Sequence, residues 1–252
     1  MERKIDLNCD LGEWKDGESP SIDKAIMPYI SSCNIACGGH IGDEKSMLAT
    51  VKLAIKHGVE VGAHPGYPDR ENFGRVFIDI DPGELESSLR TQIQSLKDIV
   101  ESEGKELHHV KPHGALYNIA AVDKTTAEAV VSAIKSISSD IPVYLPPNSI
   151  SREVALAAQL KVINEAFADR MYEDDLSLRL RSFDNAVLHK SEDVIAQLRN
   201  IVFKDRVLSS TNNFLPIKAE TICLHSDTQG AIWLARTIHE YLKANGVTIT
   251  AT

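Results

Sequence analysis

Short runs of β-type apolar residues recur along this chain at residues 5–9, 34–37, 59–63, 107–111, 142–145, 162–165 and 221–224. Between them, residues 44–57, 83–103, 125–138, 149–159, 192–203 and 228–244 read as helices. In the second helix Leu85, Leu89, Ile93, Leu96 and Val100 fall at three- and four-residue spacing, which lines one helical face. Its start carries Asp81 as a cap, Pro82 at the first helical position and Glu84 three residues after the cap. Asp43 reads as the cap of the helix that opens at Glu44. Gly58, Gly104 and Gly246 follow helices where a left-handed residue is wanted. Alternating strand and helix predicts parallel βα units, closed into a barrel or spread as a doubly wound sheet, and the barrel is preferred. No linker, composition shift or internal repeat divides the chain, so one α/β domain over residues 1–252 is expected.

The strands themselves depart from the usual parallel pattern. Strands buried on both faces read as continuous Val, Ile and Leu runs, whereas the first strand alternates Ile5, Leu7 and Cys9 with Asp6, Asn8 and Asp10. The third sets Glu60, Gly62 and His64 against Val59, Val61 and Ala63, and the last sets Cys223, His225 and Asp227 against Ile222 and Leu224. Helices must cover the apolar faces, so the polar faces are expected to line the barrel interior, with the site at the C-terminal strand ends.

The stretch LHHVKPHGALYN at residues 107–118 sharpens this. Strand alternation places His109, Lys111 and His113 on one face, and burying so many ionisable groups costs several kcal/mol apiece unless each is paired. Other strand ends carry Asp10 and Glu13, His40 and Asp43, His64 and Asp69, Glu165 with Asp169 and Arg170, and His225 with Asp227. His108 and His189 read as surface residues, His57 complements a helix end, and His109 serves equally well as a structural interior group. Asp169 and Arg170 read as a simple ion pair, and Asp6 or Glu60 as a polar plug at the barrel bottom.

Composition narrows the partners. With 43% hydrophobic and 25% charged residues the chain is ordinary for a globular protein, and its net charge of −9 argues against nucleic acid or an anionic membrane. No apolar run approaches the roughly 18 residues of a membrane span, and the start lacks a signal-like stretch, so a cytoplasmic location is expected. Cys9, Cys33, Cys37 and Cys223 read as small core residues rather than zinc ligands.

The segments DLNCDLGE, NIACGGHIGD, GAHPGYPDRENFGR, HVKPHGALYN, EAFADRMY and ICLHSD, in this order and nearly end to end, resemble the LamB/YcsF lactam-utilisation family, the A subunits of 5-oxoprolinase. The chain departs from that pattern at residues 144–149, before Ala186 and at Ser226, where glycine is expected. The resemblance implies a (βα)7-type barrel related to glycoside hydrolases and deacetylases. It also implies ATP-dependent opening of the 5-oxoproline lactam to L-glutamate, together with partner subunits B and C.

A five-membered lactam is an unstrained amide, so both cations and bases are required. Lys111 and His113 are expected to hold the carbonyl oxygen or a phosphate, and Asp10 or Asp227, with His64, to orient or deprotonate water. Asn8, Glu13, His40, Glu165, Arg170 and His225 are expected to bind substrate. ATP is the expected co-substrate, but the chain lacks a G-x-x-x-x-G-K-[ST] loop and a Rossmann fingerprint, so weak binding by the isolated chain follows. The rival readings are a metal-dependent amidohydrolase, with Asp10, His64 and His113 as ligands, and a non-catalytic substrate-binding subunit. No H-E-x-x-H pair or deacetylase-like histidine pair occurs, so a metal is not favoured.

Overall fold

The computed structural model describes residues 3–14 and 20–252. Seven strands run parallel, each hydrogen-bonded to the next: β1 (Arg3–Leu11), β2 (Ser32–Ala36), β3 (Glu60–His64), β4 (His109–Val110), β5 (Val143–Leu145), β6 (Val162–Phe167) and β9 (Thr221–His225). β9 also pairs with β1, from Asp6 opposite Thr221 to Asp10 opposite His225. That pairing closes the sheet, which decides for the barrel over the doubly wound alternative.

Outside the barrel, β7 (Arg206–Leu208) and β8 (Phe214–Pro216) form an antiparallel hairpin, and β10 (Val247–Ile249) pairs with the first residues of β1. Around it lie α1 (Ser21–Ile26), α2 (Glu44–His57), α3 (Pro82–Ser102), α4 (Gly114–Ala120), α5 (Lys124–Ile137), α6 (Ile150–Ala157), α7 (Ser191–Lys204) and α8 (Ala231–Ala244). Among the described residues no helix is long and apolar enough to cross a membrane.

The helices form where their chemistry says they should. In α3 the five spaced apolar residues are all buried, and Asp81 accepts hydrogen bonds from the amides of Gly83 and Glu84. Asp43 and Ser46 cap α2 reciprocally, and Gly58 closes it with φ +68°. On β1, Leu7, Cys9 and Leu11 join the hydrophobic core, where each large side chain contributes roughly 1.5–3 kcal/mol by leaving water. All four cysteines are buried and unpaired, as expected of small core residues.

Several elements differ from expectation. β4 spans two residues rather than five; past its C-terminal end Pro112 has no N–H to offer the β5 side, and Gly114, at φ +52°, turns the chain into α4. α1, α4 and the β7–β8 hairpin are too short, and too poor in periodic apolar positions, to stand out in the sequence. Glu60, at the start of β3, is exposed and plugs nothing.

Asp6 is the residue that closes the barrel floor. Its carboxylate accepts from the hydroxyls of Ser31 (2.6 Å), Ser32 (2.8 Å), Tyr144 (3.0 Å) and Thr221 (2.6 Å). Burial pushes its pKa up against those hydrogen bonds. Above it Asn8 donates to Thr221 and Glu165, and Asn34 donates to Asn8 and Asp10. His109 lies flat on Tyr144, with ring centroids 3.8 Å apart, and its Nε2 meets Asn34 Oδ1 at 2.7 Å. Burial holds His109 well below the usual imidazole range, so it is a neutral structural member of this ladder. Gly62 makes room for it, since a Cβ there would run into the ring.

Candidate active site

At the C-terminal strand ends a cleft of about 170 Å³ opens over the polar ladder. Asp10, Glu13, His64, Lys111, His113, Arg170, His225 and Asp227 line it, as the strand-end argument anticipates. Asn8, His40 and Glu165 do not. Asn8 lies one layer deeper, His40 stands behind Glu13 and His113, and Glu165 borders a neighbouring cavity with Tyr117 and Phe167.

Lys111 is the centre of charge. It is 2% exposed, and its Nζ lies 2.9 Å from Asp10 Oδ1, 3.1 Å from Glu165 Oε1 and 2.9 Å from Cys223 Sγ. Three partners match the three protons of an ammonium group. Burial opposes its charge, but the facing carboxylates outweigh burial and hold its pKa well above the ordinary lysine value. Asp10 is the mirror case: burial disfavours its carboxylate, yet His64 and Lys111 hold it well below the usual range. The Cys223 thiol is pushed up by burial and stays protonated at neutral pH.

Beside this pair stands a histidine cluster. His64 Nδ1 contacts the carbonyl of Lys111 at 2.8 Å, and His113 Nε2 contacts that of Phe73 at 2.9 Å. Their other nitrogens meet at 2.9 Å. His40 stacks on His113 at 3.6 Å, its Nε2 is 3.1 Å from Glu13 Oε1, and its buried Nδ1 has no hydrogen-bond partner. Burial is the main cause that lowers the pKa of His40, and that of His113 further, with His40 and His64 also acting on the latter.

On the opposite wall, His225 Nδ1 lies 3.0 Å from Asp169 Oδ1, while Thr228 donates to Asp169 Oδ2 at 2.8 Å. Asp169 is therefore engaged by His225 and Thr228, and among the described residues no salt bridge joins it to Arg170. Burial raises its pKa, but His225 and the hydrogen bonds bring the net value down to about 2. With Nδ1 turned to this carboxylate, His225 presents Nε2 toward the cleft, 4.0 Å from Asp10 Oδ2. Arg170 is buried and gives its hydrogen bonds to the carbonyls of Ala186 and Arg179, with its pKa held down to about 10 by burial and by Arg181.

Asp227, expected near the water, is ion-paired with Arg75 and Arg181. Burial opposes its charge, but Arg181 and His225, then Arg75, lower its pKa, which makes it a poor base. Sequence reading overlooked Arg75, Arg181, Tyr117 and the positioning role of Asp169. Both arginines sit on long irregular segments without periodicity, and the sole signal for Asp169 was its place two residues beyond β6.

Comparison with known proteins agrees with this architecture. The family model described as LamB/YcsF matches residues 5–252. A relative from Symbiobacterium thermophilum, named as the A subunit of 5-oxoprolinase, is 45% identical over 249 residues, covering 99% of this chain and 95% of that one. One of the same name from Chloroflexus aurantiacus is 42% identical and covers 98% of each chain. The crystal structure of a lactam utilization protein from Thermus thermophilus superposes with a TM-score of 0.93 at 36% identity, covering 99% of this chain and 100% of that one. A peptidoglycan deacetylase from Bacillus subtilis shares the fold alone, with a TM-score of 0.51 at 13% identity over 99% of this chain and 87% of its own. With the family motif matched from β1 to the C-terminus and the same barrel in a solved relative, the chain belongs to the LamB/YcsF family.

Proposed function

We propose that this chain is the A subunit of a 5-oxoprolinase and opens the lactam of 5-oxoproline to L-glutamate, coupled to ATP hydrolysis to ADP and phosphate, together with subunits B and C. The observation that carries this reading is the buried Lys111 ammonium at the base of a cleft sized for a small molecule, flanked by Asp10 and Glu165. A fixed cation in a water-poor site stabilises negative charge as it develops on a carbonyl or phosphoryl oxygen. The substrate's own carboxylate, or a phosphate, finds Arg181 and the more deeply buried Arg170 in the cleft lining.

His225 takes the role of general base in this scheme, with Asp169 holding its tautomer and orientation as a carboxylate holds a catalytic imidazole. Asp10 orients water and, with Glu165, holds the Lys111 ammonium, because its low pKa makes it a weak proton acceptor. His64 and His113 line the cleft beside Lys111. ATP enters as co-substrate at the cationic rim or on a partner subunit.

The deciding experiment is glutamate formation from 5-oxoproline and ATP by this chain alone, by subunits B and C alone, and by all three. Turnover in the complete mixture only is the expected outcome. Equal turnover without this chain overturns the proposal, and so does a complete mixture in which His225→Ala and Lys111→Ala both keep full activity, since a mere binding subunit tolerates such changes.

A further inference from the structure

The histidine cluster poses a proton-counting problem. His64 Nδ1 and His113 Nε2 each face a backbone carbonyl, which accepts and never donates, so each of these nitrogens carries its ring's proton. In neutral rings His64 Nε2 and His113 Nδ1 are then bare, and they point at one another across 2.9 Å. Two lone pairs at that distance repel unless positive charge is placed between or beside them. Glu13 Oε1 lies 3.4 Å from His113 Nδ1, and Asp10 Oδ2 lies 3.3 Å from His64 Nε2. With both rings neutral, every group bordering the point is a lone-pair donor.

We propose that this chain binds one divalent transition-metal ion here, through His64 Nε2, His113 Nδ1 and Glu13 Oε1. Bonds of about 2.1 Å place neighbouring ligands about 3.0 Å apart at a right angle and about 3.4 Å apart at the tetrahedral angle. The observed 2.9 and 3.4 Å fall at these two values, and the donor atoms of Glu13, His40, His64 and His113 all lie within 4.8 Å of one another. Two imidazoles and a carboxylate suit zinc, cobalt or manganese rather than magnesium or calcium. The outer contacts are those of a metal site, since the carbonyls of Lys111 and Phe73 fix both rings.

His40 is a positioning residue in this arrangement. An imidazole binds a metal within its ring plane, and the His40 plane lies parallel to that of His113, 3.6 Å away. The two rings cannot share one ion, so His40 serves by holding Glu13. Asp10, a ligand candidate on sequence grounds, turns Oδ1 to Lys111 and leaves Oδ2 3.3 Å from His64 Nε2 at the edge of the Glu13, His64 and His113 set.

The test is titration of the full-length, chelator-stripped chain with Co2+, read by visible d–d absorption, and with Zn2+, read by elemental analysis after dialysis. One ion per chain is expected. Glu13→Gln and His113→Ala should each weaken binding by at least about 100-fold, and His40→Ala by about tenfold. Asp227→Asn should bind as the wild type does. Circular dichroism checks folding, and if His113→Ala does not fold, the isosteric Glu13→Gln decides alone. No stoichiometric binding by the wild type, or wild-type affinity in Glu13→Gln, overturns the proposal. Neither readout needs turnover, so failure of the glutamate assay and failure of metal binding are separate results.

Discussion

Asp6 and Asp10 stand four residues apart on the same face of β1, both buried, yet their surroundings drive them in opposite directions. Asp6 at the floor meets neutral hydroxyls only, and burial wins, so its pKa rises. Asp10 at the mouth meets Lys111 and His64, and charge wins, so its pKa falls. The floor is a closed ladder in which the Asp6 carboxylate is matched by hydroxyl donors. Beside the mouth, by contrast, His40 Nδ1 is buried without a hydrogen-bond partner. A satisfied network is a structural device, whereas buried polar atoms left over mark where a ligand is to be met.

The largest expected effect of breaking this contrast belongs to the mouth. Lys111→Ala leaves Asp10 and Glu165 facing each other without their cation, so a stability loss of about 3–5 kcal/mol is expected in chemical denaturation. Oxoprolinase turnover of the assembled complex should fall by about 10³-fold, and turnover within a factor of a few of wild type would remove Lys111 from the mechanism. Next is Asp169→Asn, which releases His225 from its tautomer. Glutamate formation should drop by about 10²-fold, chiefly in kcat, and an unchanged kcat would dismiss His225 as the base.

At the floor, Asp6→Asn should cost about 1–3 kcal/mol with kcat unchanged, because the Asn amide adds donors where only donors stand. The two carboxylates also carry opposite pH signatures. A raised folded pKa means the folded state binds the extra proton, so Asp6 lowers stability as pH climbs from its unfolded value of about 3.9 through its folded value. Asp10 contributes stability that is present above about pH 3.9 and is lost as pH falls toward its lower folded value. Denaturation midpoints against pH should therefore lose a decline above about pH 4 in Asp6→Asn and lose an acid-side fall in Asp10→Asn. Identical profiles for the two variants would break the comparison. The smallest effect is Glu60→Gln, which should leave both melting temperature and turnover unchanged, since that residue faces solvent at the barrel's base.

Much of this barrel was legible because its physics is local. Period-two alternation in residues 5–10 separates Leu7 and Cys9 from Asp6, Asn8 and Asp10 by pleating alone, while Asp81 and Asp43 start helices through bonds to amides three residues away or fewer and Pro82 through its fixed φ. The cluster at the mouth was legible for the same reason, as residues at or just past strand ends. Individual roles were not. Asp227 is occupied by Arg75 and Arg181, which lie far from it along the chain in irregular segments. The two histidine tautomers depend on carbonyls of Phe73 and Lys111, which no side-chain pattern encodes.

The amino-acid sequence by itself therefore determined which residues face inward and which strand ends carry chemistry, because side-chain direction follows from backbone period. Tertiary closure decided what each inward group is. Pairing β9 with β1 brings Asp10 and Cys223 to Lys111, removes water from all three, and leaves each group's charge to be set by the few partners within about 3 Å.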